Sequence, residues 1–228
     1  MERRNIVILG ATGSIGKSAL EVIARHEDRF HVTALAAYRN AEMLAKQFHR
    51  FHPRFLCLID PDAAEQLRRM LDGEDVTILS GVDEMLSLTR LDDVSMVLNA
   101  IVGAAGLRAS LATLKNDKDL ALANKESLVA GGPLFKSLLA RSEGKLLPID
   151  SEHSAIWQAT RCGHPREVRK ILLTSSGGPF RTWPKEKFSE ITVEAALNHP
   201  TWKMGPKITI DSATLANKGL EVIEAVYL

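Results

Sequence analysis

The fold of this chain is indicated most clearly by its N-terminal segment, Asn5-Ile6-Val7-Ile8-Leu9-Gly10-Ala11-Thr12-Gly13-Ser14-Ile15-Gly16. An apolar segment leads directly into a turn with three glycines, and a helical pattern follows from Lys17. A doubly wound α/β domain begins in this way, and it places a pyrophosphate at that turn. Gly10 allows the tight turn, Gly13 lets backbone N–H groups approach phosphate, and Gly16 allows the helix to pack on the strand. The stretch therefore predicts a nucleotide site, with a glycine turn that binds nothing as the alternative.

The composition is that of a globular protein large enough for two modest domains. The chain has 228 residues, of which 45% are hydrophobic and 25% are charged, with a net charge of +1. This balance provides no long-range field for nucleic acid or an anionic membrane, so we expect neither as a partner. Cys57 and Cys162 form no C-x-x-C pattern, and the apolar segment at residues 5–9 is too short for a signal peptide. We predict a cytoplasmic protein with reduced thiols.

Residues 1–150 alternate short apolar segments with longer amphipathic ones, which is typical of a parallel sheet with crossover helices. We therefore predict a doubly wound, Rossmann-type α/β domain. The predicted strands are residues 6–9, 32–37, 55–59, 76–79, 94–100, 120–123 and 146–149. The predicted helices include residues 17–25, 41–51, 63–71, 107–115 and 133–140.

Residues 151–228 have a different character, and we predict an incomplete α+β catalytic domain there. A helix is expected at residues 153–160 and strands at 168–174 and 207–210, followed by a helix that carries Glu221. The long intervening segment is typical of binding loops or a lid. Because the helical pattern continues to Leu228 without a Gly or Pro stop signal, we expect the chain to be truncated.

The end of the second predicted strand bears on coenzyme choice. An acidic residue there would bind the ribose 2′-hydroxyl of NAD, whereas a basic one accommodates the 2′-phosphate of NADP. The strand leads into Ala37-Tyr38-Arg39-Asn40, which contains no acid. This favours NADP, with Arg39 at the phosphate and Asn40 nearby; an ordinary solvated arginine is the alternative.

Three carboxylates are candidate metal ligands. Asp150 and Glu152 follow an apolar segment, and residues two apart in extended backbone point the same way. Glu221 lies on a helix whose Asn217 and Lys218 share its face. Oxygen ligands without His or Cys favour Mg²⁺ or Mn²⁺. Solvated or helix-capping carboxylates are the alternative.

Polar groups after other predicted strands are candidates for binding an anion. Ser176-Gly177-Gly178 could converge backbone N–H groups on a phosphate, with Ser212, Asn217 and Lys218 completing the pocket. Lys125, just past a strand end, is either a substrate-facing cation or a surface lysine. Residues 199–205 are predicted to form a mobile flap with Trp202 as its apolar cover. For the residues predicted to bind a phosphate, the alternatives are ordinary turns and a helix cap.

Six segments, in this order, closely resemble those of the 1-deoxy-D-xylulose 5-phosphate reductoisomerases of the non-mevalonate isoprenoid pathway. They are GATGSIG (10–16), NKESL (124–128), PIDSEH (148–153), SSGGPFR (175–181), HPTWKMG (199–205) and DSATLANKGLE (211–221). The resemblance covers essentially the whole chain. It implies an oxidoreductase, expected to be a homodimer, that rearranges 1-deoxy-D-xylulose 5-phosphate and reduces it with NADPH to 2-C-methyl-D-erythritol 4-phosphate.

The resemblance also implies a role for particular positions. The metal, Mg²⁺ or Mn²⁺, would be bound by Asp150, Glu152 and Glu221, with Lys125 and His199 as further catalytic residues. The substrate would be contacted by Ser151, Ser176, Gly177, His199, Trp202, Met204, Ser212, Asn217 and Lys218. NADPH would be contacted by Gly10, Thr12, Gly13, Ser14, Ile15, Gly16, Arg39, Asn40, Asn124, Glu126 and Gly205.

Two features depart from the family's pattern. Tyr38 stands where glycine is common, and Arg39 where lysine is also common. The family's C-terminal helical domain is expected to be lacking, so we expect this chain to be weakly active or inactive. Two alternative hypotheses for the function are a metal-independent NADP-dependent semialdehyde or sugar-phosphate dehydrogenase, and a nucleotide-binding module without catalysis.

Overall fold

Seven short apolar segments form one parallel sheet in the computed structural model, which describes residues 3–228. The strands are β1 (Arg4–Leu9), β2 (Phe30–Ala37), β3 (Phe55–Leu58), β4 (Thr77–Ser80), β5 (Met96–Asn99), β6 (Asp119–Leu122) and β7 (Leu146–Pro148). Their order is β4-β3-β2-β1-β5-β6-β7. The direction of winding reverses between β1 and β5, where Leu9 pairs with Asn99. Ligands bind at such a reversal, beyond the carboxyl ends of the strands.

Helices cover this sheet on both faces, which confirms the predicted doubly wound α/β fold. They are α1 (Ser14–Ala24), α2 (Ala41–Phe51), α3 (Pro61–Met70), α4 (Val82–Ser87), α5 (Leu107–Lys115) and α6 (Lys125–Leu139). Short 3-10 helices span Leu88–Arg90 and Gly103–Gly106.

Alternate residues of β1 show why the strands are apolar along their length. Ile6 and Ile8 join a buried cluster on one face of the sheet, whereas Val7 and Leu9 join a second cluster on the other. Successive side chains of a strand point to opposite faces, so a sheet covered on both sides needs an apolar residue at each position.

The first unit ends at Asp150, and the second spans Ser151–Leu228. The described residues of the second unit form helices and loops without a strand. Its helices are α7 (Ser151–Thr160), α8 (Val193–Leu197), α9 (Pro206–Ala213) and α10 (Ala216–Ala225), with 3-10 helices at Pro165–Glu167 and Lys185–Glu190. In the part of the chain that the structure describes, no helix is long and apolar enough to cross a membrane.

Three predicted elements differ from the structure. The prediction of a strand at residues 168–174 is wrong, because these residues have no regular structure and Leu172 is 76% exposed. Residues of high β propensity form a strand only beside another strand that hydrogen-bonds their backbone. The strand at 207–210 is wrong because α9 begins at Pro206, a favoured first helical residue. The helix predicted from Pro133 begins at Lys125, because the Asn124 side chain caps it by accepting a hydrogen bond from the Ser127 N–H (2.8 Å).

Candidate functional site

The glycine turn after β1 is closely packed against neighbouring backbone. Gly10 has φ +84°, and a Cβ there would lie 2.5 Å from the Ala100 carbonyl oxygen. A Cβ on Gly16 would lie 2.4 Å from the Gly10 carbonyl oxygen and 2.6 Å from the Ala11 Cα. Glycine is therefore required at both positions, for the turn and for the packing of α1 against it. The turn lies at the reversal in strand order, where a nucleotide is expected.

The start of α1 is suited to an anion. Gly13 precedes the helix without a side-chain cap, and the first turn carries no acidic residue. Gly13, Ser14 and Ile15 are exposed, and Thr12 is half-buried. The positive end of the helix dipole and its first N–H groups thus face solvent without a local negative charge.

The end of β2 presents the residues predicted to select the coenzyme. Arg39 is exposed. Asn40 caps α2, because its side-chain oxygen accepts a hydrogen bond from the Met43 N–H at 3.0 Å. Asn40 therefore has a structural role in this chain, and Arg39 is the basic group at the strand end.

Asn124 connects the loops that follow β5 and β6. Its side-chain amide donates hydrogen bonds to the carbonyl oxygens of Ile101 (2.5 Å) and Gly103 (2.7 Å). It also contacts a carboxylate oxygen of Glu126 at 3.3 Å. Asn124 is buried, so these bonds fix the two loops at the carboxyl edge of the sheet.

Lys125 and Asp150 form an ion pair at the same edge. Their side chains are only 9% and 14% exposed. A lysine and an aspartate at these exposures are rarely found without a partner, since each charge costs free energy to remove from water. Lys125 is therefore not a surface lysine, although Asp150 is the group that it contacts.

In the second unit, Lys218 brings two predicted metal ligands together. Glu152 lies in the first turn of α7, and Glu221 lies on α10. The Lys218 ammonium donates a hydrogen bond to Glu152 Oε1 at 3.0 Å and also bonds Glu221 Oε2. Asn217 donates to Glu221 Oε1 at 2.5 Å. The two carboxylates thus lie on either side of one positive charge.

These contacts set the charge of Glu152. Partial burial alone would raise the pKa of this carboxyl, but hydrogen bonds from Ser151 and Lys218, with the charge of Lys218, lower it to about 2. Burial opposes the charge of Lys218 as well, and its bonds to Glu221 and Glu152 outweigh that effect and raise its pKa. Glu152 is thus ionised at neutral pH, as a metal ligand must be.

The sequence-based reason for pairing Asp150 with Glu152 was wrong. Residues two apart point the same way only in extended backbone, and α7 begins at Ser151, so Glu152 is helical. Glu152 is brought to Glu221 by the approach of α7 and α10, which no local spacing could predict.

Ser176 belongs to a second polar cluster in this unit. Gly177 and Gly178 have φ of +77° and +69°, and a Cβ on Gly178 would lie 2.8 Å from the Ser212 carbonyl oxygen. Ser176 Oγ lies 3.4 Å from Ser212 Oγ and 3.1 Å from His199 Nε2. The positive φ values of Gly177 and Gly178, and the absence of a Cβ on Gly178, therefore allow the two predicted phosphate-binding serines to lie close together.

The tautomer of His199 follows from its hydrogen bonds. Nδ1 accepts from the N–H groups of Thr201 (3.1 Å) and Trp202 (2.9 Å). In neutral histidine an accepting Nδ1 leaves the proton on Nε2, which then donates to Ser176 Oγ. The Ser176 hydroxyl proton is consequently available to an acceptor such as a phosphate oxygen. In the same segment, Trp202 is 63% exposed and Met204 is half-buried, so the tryptophan covers little of this unit.

Two buried polar residues were missed by the sequence reasoning. His153 is fully buried on α7, and Glu224 is 1% exposed on α10. His153 Nε2 lies 2.9 Å from the Glu221 carbonyl oxygen, and Nδ1 lies 3.4 Å from Glu224 Oε2. The spacing of Glu224 three residues after Glu221 was a usable signal, because residues three apart share a helix face.

Within each unit, the structure brings several of the predicted site residues together. In the first unit, one group is the glycine turn, and another, at the carboxyl edge beyond β6, contains Asn124, Lys125, Glu126 and Asp150. In the second unit it forms a carboxylate cluster and a serine cluster. Asn217 and Lys218, predicted for the serine cluster, instead contact Glu221.

Comparisons with known proteins identify the family. Residues 6–132 match the family described as 1-deoxy-D-xylulose 5-phosphate reductoisomerase, and residues 146–228 match its C-terminal domain family. The chain belongs to the 1-deoxy-D-xylulose 5-phosphate reductoisomerase family. The sequence resemblance is thereby confirmed.

Individual relatives cover nearly the whole chain. Reductoisomerases of this name from Geotalea uraniireducens and Chloroherpeton thalassium are 49% and 50% identical to it over 225 residues, or 99% of the chain. A solved reductoisomerase in complex with NADPH, fosmidomycin and magnesium aligns over 99% of the chain with a TM-score of 0.90 and 41% identity. The Zymomonas mobilis enzyme in complex with NADPH aligns with a TM-score of 0.89 and 41% identity. The chain spans 58% of the length of each of these four relatives.

Proposed function

We propose that this chain carries the nucleotide-binding and metal-binding parts of an enzyme that rearranges 1-deoxy-D-xylulose 5-phosphate and reduces it with NADPH to 2-C-methyl-D-erythritol 4-phosphate. The observation that carries the proposal is that both family models match along the chain and include the carboxylates Glu152 and Glu221, which converge on one positive charge. A metal-independent dehydrogenase would have no use for that convergence.

The carboxylates suit a divalent ion. Glu152 and Glu221 each offer an oxygen to the Lys218 ammonium, so the pair is already arranged around a cation. Hard oxygen donors match Mg²⁺ and Mn²⁺. We propose that these two residues and Asp150, which directly precedes α7, hold the ion. The bound ion would act as a Lewis acid on the substrate's ketone and hydroxyl oxygens, while NADPH would supply the reducing hydride.

The glycine turn suits the pyrophosphate of NADPH. The missing Cβ atoms at Gly10 and Gly16 allow the turn to close against α1, whose first N–H groups bear no side-chain cap. Arg39 would pair with the 2′-phosphate as a charge-assisted hydrogen-bond donor. Further contacts are proposed for Thr12, Gly13, Ser14, Ile15, Asn40, Asn124, Glu126 and Gly205.

The serine cluster suits the substrate phosphate. Ser176 Oγ accepts from His199, so its own proton can be donated to a phosphate oxygen, as can that of Ser212. Gly177, Asn217 and Lys218 are proposed to complete the pocket, whose binding energy would orient the reacting carbons.

Other proposed contacts with substrate come from Lys125, Ser151, His199, Trp202 and Met204. The segment 199–205 would exclude water when it closes, and its exposed Trp202 is the apolar side chain for that purpose.

We also propose a cytoplasmic homodimer. Cys57 and Cys162 are both free thiols, as expected in a reducing compartment. Sedimentation of the protein at micromolar concentration would test the dimer, and a single monomeric species would contradict it.

The test is NADPH oxidation with 1-deoxy-D-xylulose 5-phosphate and Mg²⁺, followed by absorbance. This chain would be compared with a version extended to the full length of its relatives, each with and without chelator. We expect oxidation by the extended version that stops with chelator, and little or none by the short chain. Oxidation that survives chelation would favour a metal-independent dehydrogenase, and NADPH binding without turnover would favour a non-catalytic module.

Coenzyme choice is tested by Arg39→Glu. Loss of the phosphate-pairing charge should weaken NADPH binding by at least tenfold and leave NADH binding unchanged, as measured by nucleotide fluorescence. Arg69→Glu, at an exposed arginine in the last turn of α3, provides the matched control. Equal losses in the two variants would show that Arg39 does not select the phosphate.

A further inference from the structure

Buried polar groups lie behind the carboxylate cluster in the second unit. The α10 helix buries Glu221 and Glu224, both 1% exposed, whereas its Val222 and Ile223 are 54% and 44% exposed. This reverses the usual pattern in which a helix buries its apolar face. Removing two carboxylates from water is costly, so their burial needs a reason other than the hydrophobic effect. The proposed function gives Glu221 a role as a metal ligand and assigns none to Glu224.

The His153 ring connects α7 to both of these residues. Nε2 lies 2.9 Å from the Glu221 carbonyl oxygen, which can only accept, so Nε2 carries a proton and donates it. Nδ1 then faces Glu224 Oε2 at 3.4 Å. The ring thus faces α10 at two points about one turn apart. Nδ1 has no hydrogen-bond partner among the described residues, so a proton between it and Glu224 Oε2 would make this approach attractive and fix the orientation of the ring.

This connection differs from the one made by Lys218. The Lys218 ammonium joins Glu152 and Glu221 through the same carboxylate oxygens that an ion would need. His153 bonds the backbone carbonyl of Glu221 and does not bond its carboxylate. The residue preceding His153 on α7 is Glu152 itself. The histidine contact can therefore hold the two helices at a fixed separation while an ion is bound.

We propose that Glu224 is a positioning residue: by orienting His153, it holds Glu152 and Glu221 at the separation that a divalent ion requires. The inference rests on the proposed function, because it takes Glu152 and Glu221 as metal ligands. Groups that orient ligands in this way typically contribute 10–100-fold to metal affinity.

Two conservative variants separate positioning from direct ligation. Glu224→Asp keeps the charge but shortens the side chain by one methylene group, so the carboxylate no longer reaches Nδ1. Glu224→Gln keeps the length and replaces the carboxylate with an amide. Because an amide offers both a donor and an acceptor, it can contact Nδ1 whether or not that nitrogen is protonated. A metal ligand would depend on charge, and a positioning residue would depend on reach.

The measurement is Mn²⁺ affinity of this chain by electron paramagnetic resonance, with NADPH affinity and the melting temperature as checks on folding. We expect Glu224→Asp to weaken Mn²⁺ binding about 10–100-fold and Glu224→Gln to change it less than threefold, with NADPH affinity unchanged in both. Val222→Ala, at an exposed position on the same helix, is the control.

Every other pattern would overturn the inference. Stronger loss in Glu224→Gln than in Glu224→Asp would make Glu224 a ligand, equal loss in both would indicate general packing, and no loss would remove any role. Wild-type chain that binds no Mn²⁺ would also overturn it. Failure of the proposed function would be seen separately, as absence of turnover by the extended version.

Discussion

Replacing Gly16 with alanine should destabilise the protein, although the same change in most helices is stabilising. Gly16 lies in α1, where alanine is favoured over glycine by about 0.5–1 kcal/mol. The new Cβ, however, would lie 2.4 Å from the Gly10 carbonyl oxygen and 2.6 Å from the Ala11 Cα. Both are backbone atoms of the turn, so neither can rotate away and α1 must move.

The magnitude follows from these two opposing effects. Overpacking of a closely packed site costs typically about 1–3 kcal/mol, and contacts this short with backbone belong at the upper end. Subtracting the gain in helix propensity leaves a net cost of about 2 kcal/mol. For a chain of this size that is a decrease in melting temperature of about 4–8 °C. Because α1 moves away from the turn, NADPH affinity should fall by at least tenfold.

Gly219→Ala provides the matched control. Gly219 is also helical, in α10, but a Cβ there would meet nothing within 4 Å. This variant should gain about 0.5–1 kcal/mol, so the two substitutions should shift the melting temperature in opposite directions. Calorimetry and nucleotide fluorescence would measure both effects. A Gly16→Ala protein that melts at or above the wild-type temperature and binds NADPH normally would refute the reasoning.

Other groups lead to three further predictions. The pKa of the Glu152 carboxyl is lowered to about 2, so its contribution to stability is complete above pH 4.5, the ordinary pKa of this group, and is lost as the pH falls towards 2. After allowance for solvent screening, the difference in unfolding free energy between wild type and Glu152→Gln, measured by urea titration, should shrink by about 1 kcal/mol from pH 6 to pH 3. Burial, with a smaller effect of Glu84, raises the pKa of the Cys57 thiol to about 12, so a thiol reagent at pH 8 should modify only the exposed Cys162 until urea is added. Lys125→Met should cost about 3 kcal/mol by leaving a largely buried carboxylate without its ion-pair partner, and adding Asp150→Asn should recover part of that loss, whereas equal stability of the single and double variants would contradict this.

The first unit was largely predictable because its signals are local. Strands of an α/β sheet that is covered on both sides are short, continuous apolar segments, and glycine spacing marks the turn where the winding begins. The structure places the start of α6 eight residues before the predicted start at Pro133, because the Asn124 side chain caps the helix just before Lys125. A proline inside a helix removes one hydrogen bond and crowds the carbonyl of the residue four before it, and here the Asn124 cap and the burial of Phe135 outweigh that cost.

The second unit was less predictable because short apolar segments there are ambiguous. Residues 207–210 fit a strand or a helix equally well by pattern, and the preceding Gly205-Pro206 favours the helix. Residues 168–174 have strand propensity, yet they remain without regular structure. All of them except Arg169 line a cavity of about 400 Å³ together with residues of α7, which include Glu152. Propensity records what a segment can form, and the partner strand decides whether it does.

Dependence on tertiary packing also explains why the sequence identifies the site residues of the second unit but does not predict their mutual contacts. Glu152, Lys218 and Glu221 were each identified from a motif, but their mutual contacts depend on how α7 packs against α10. Such packing creates burial as well as proximity, and burial is what makes an inconspicuous His153 and Glu224 informative. A polar residue next to a ligand in sequence says little while it is assumed to be solvated. Once it is found without access to water, it must have a partner and therefore a reason to be there.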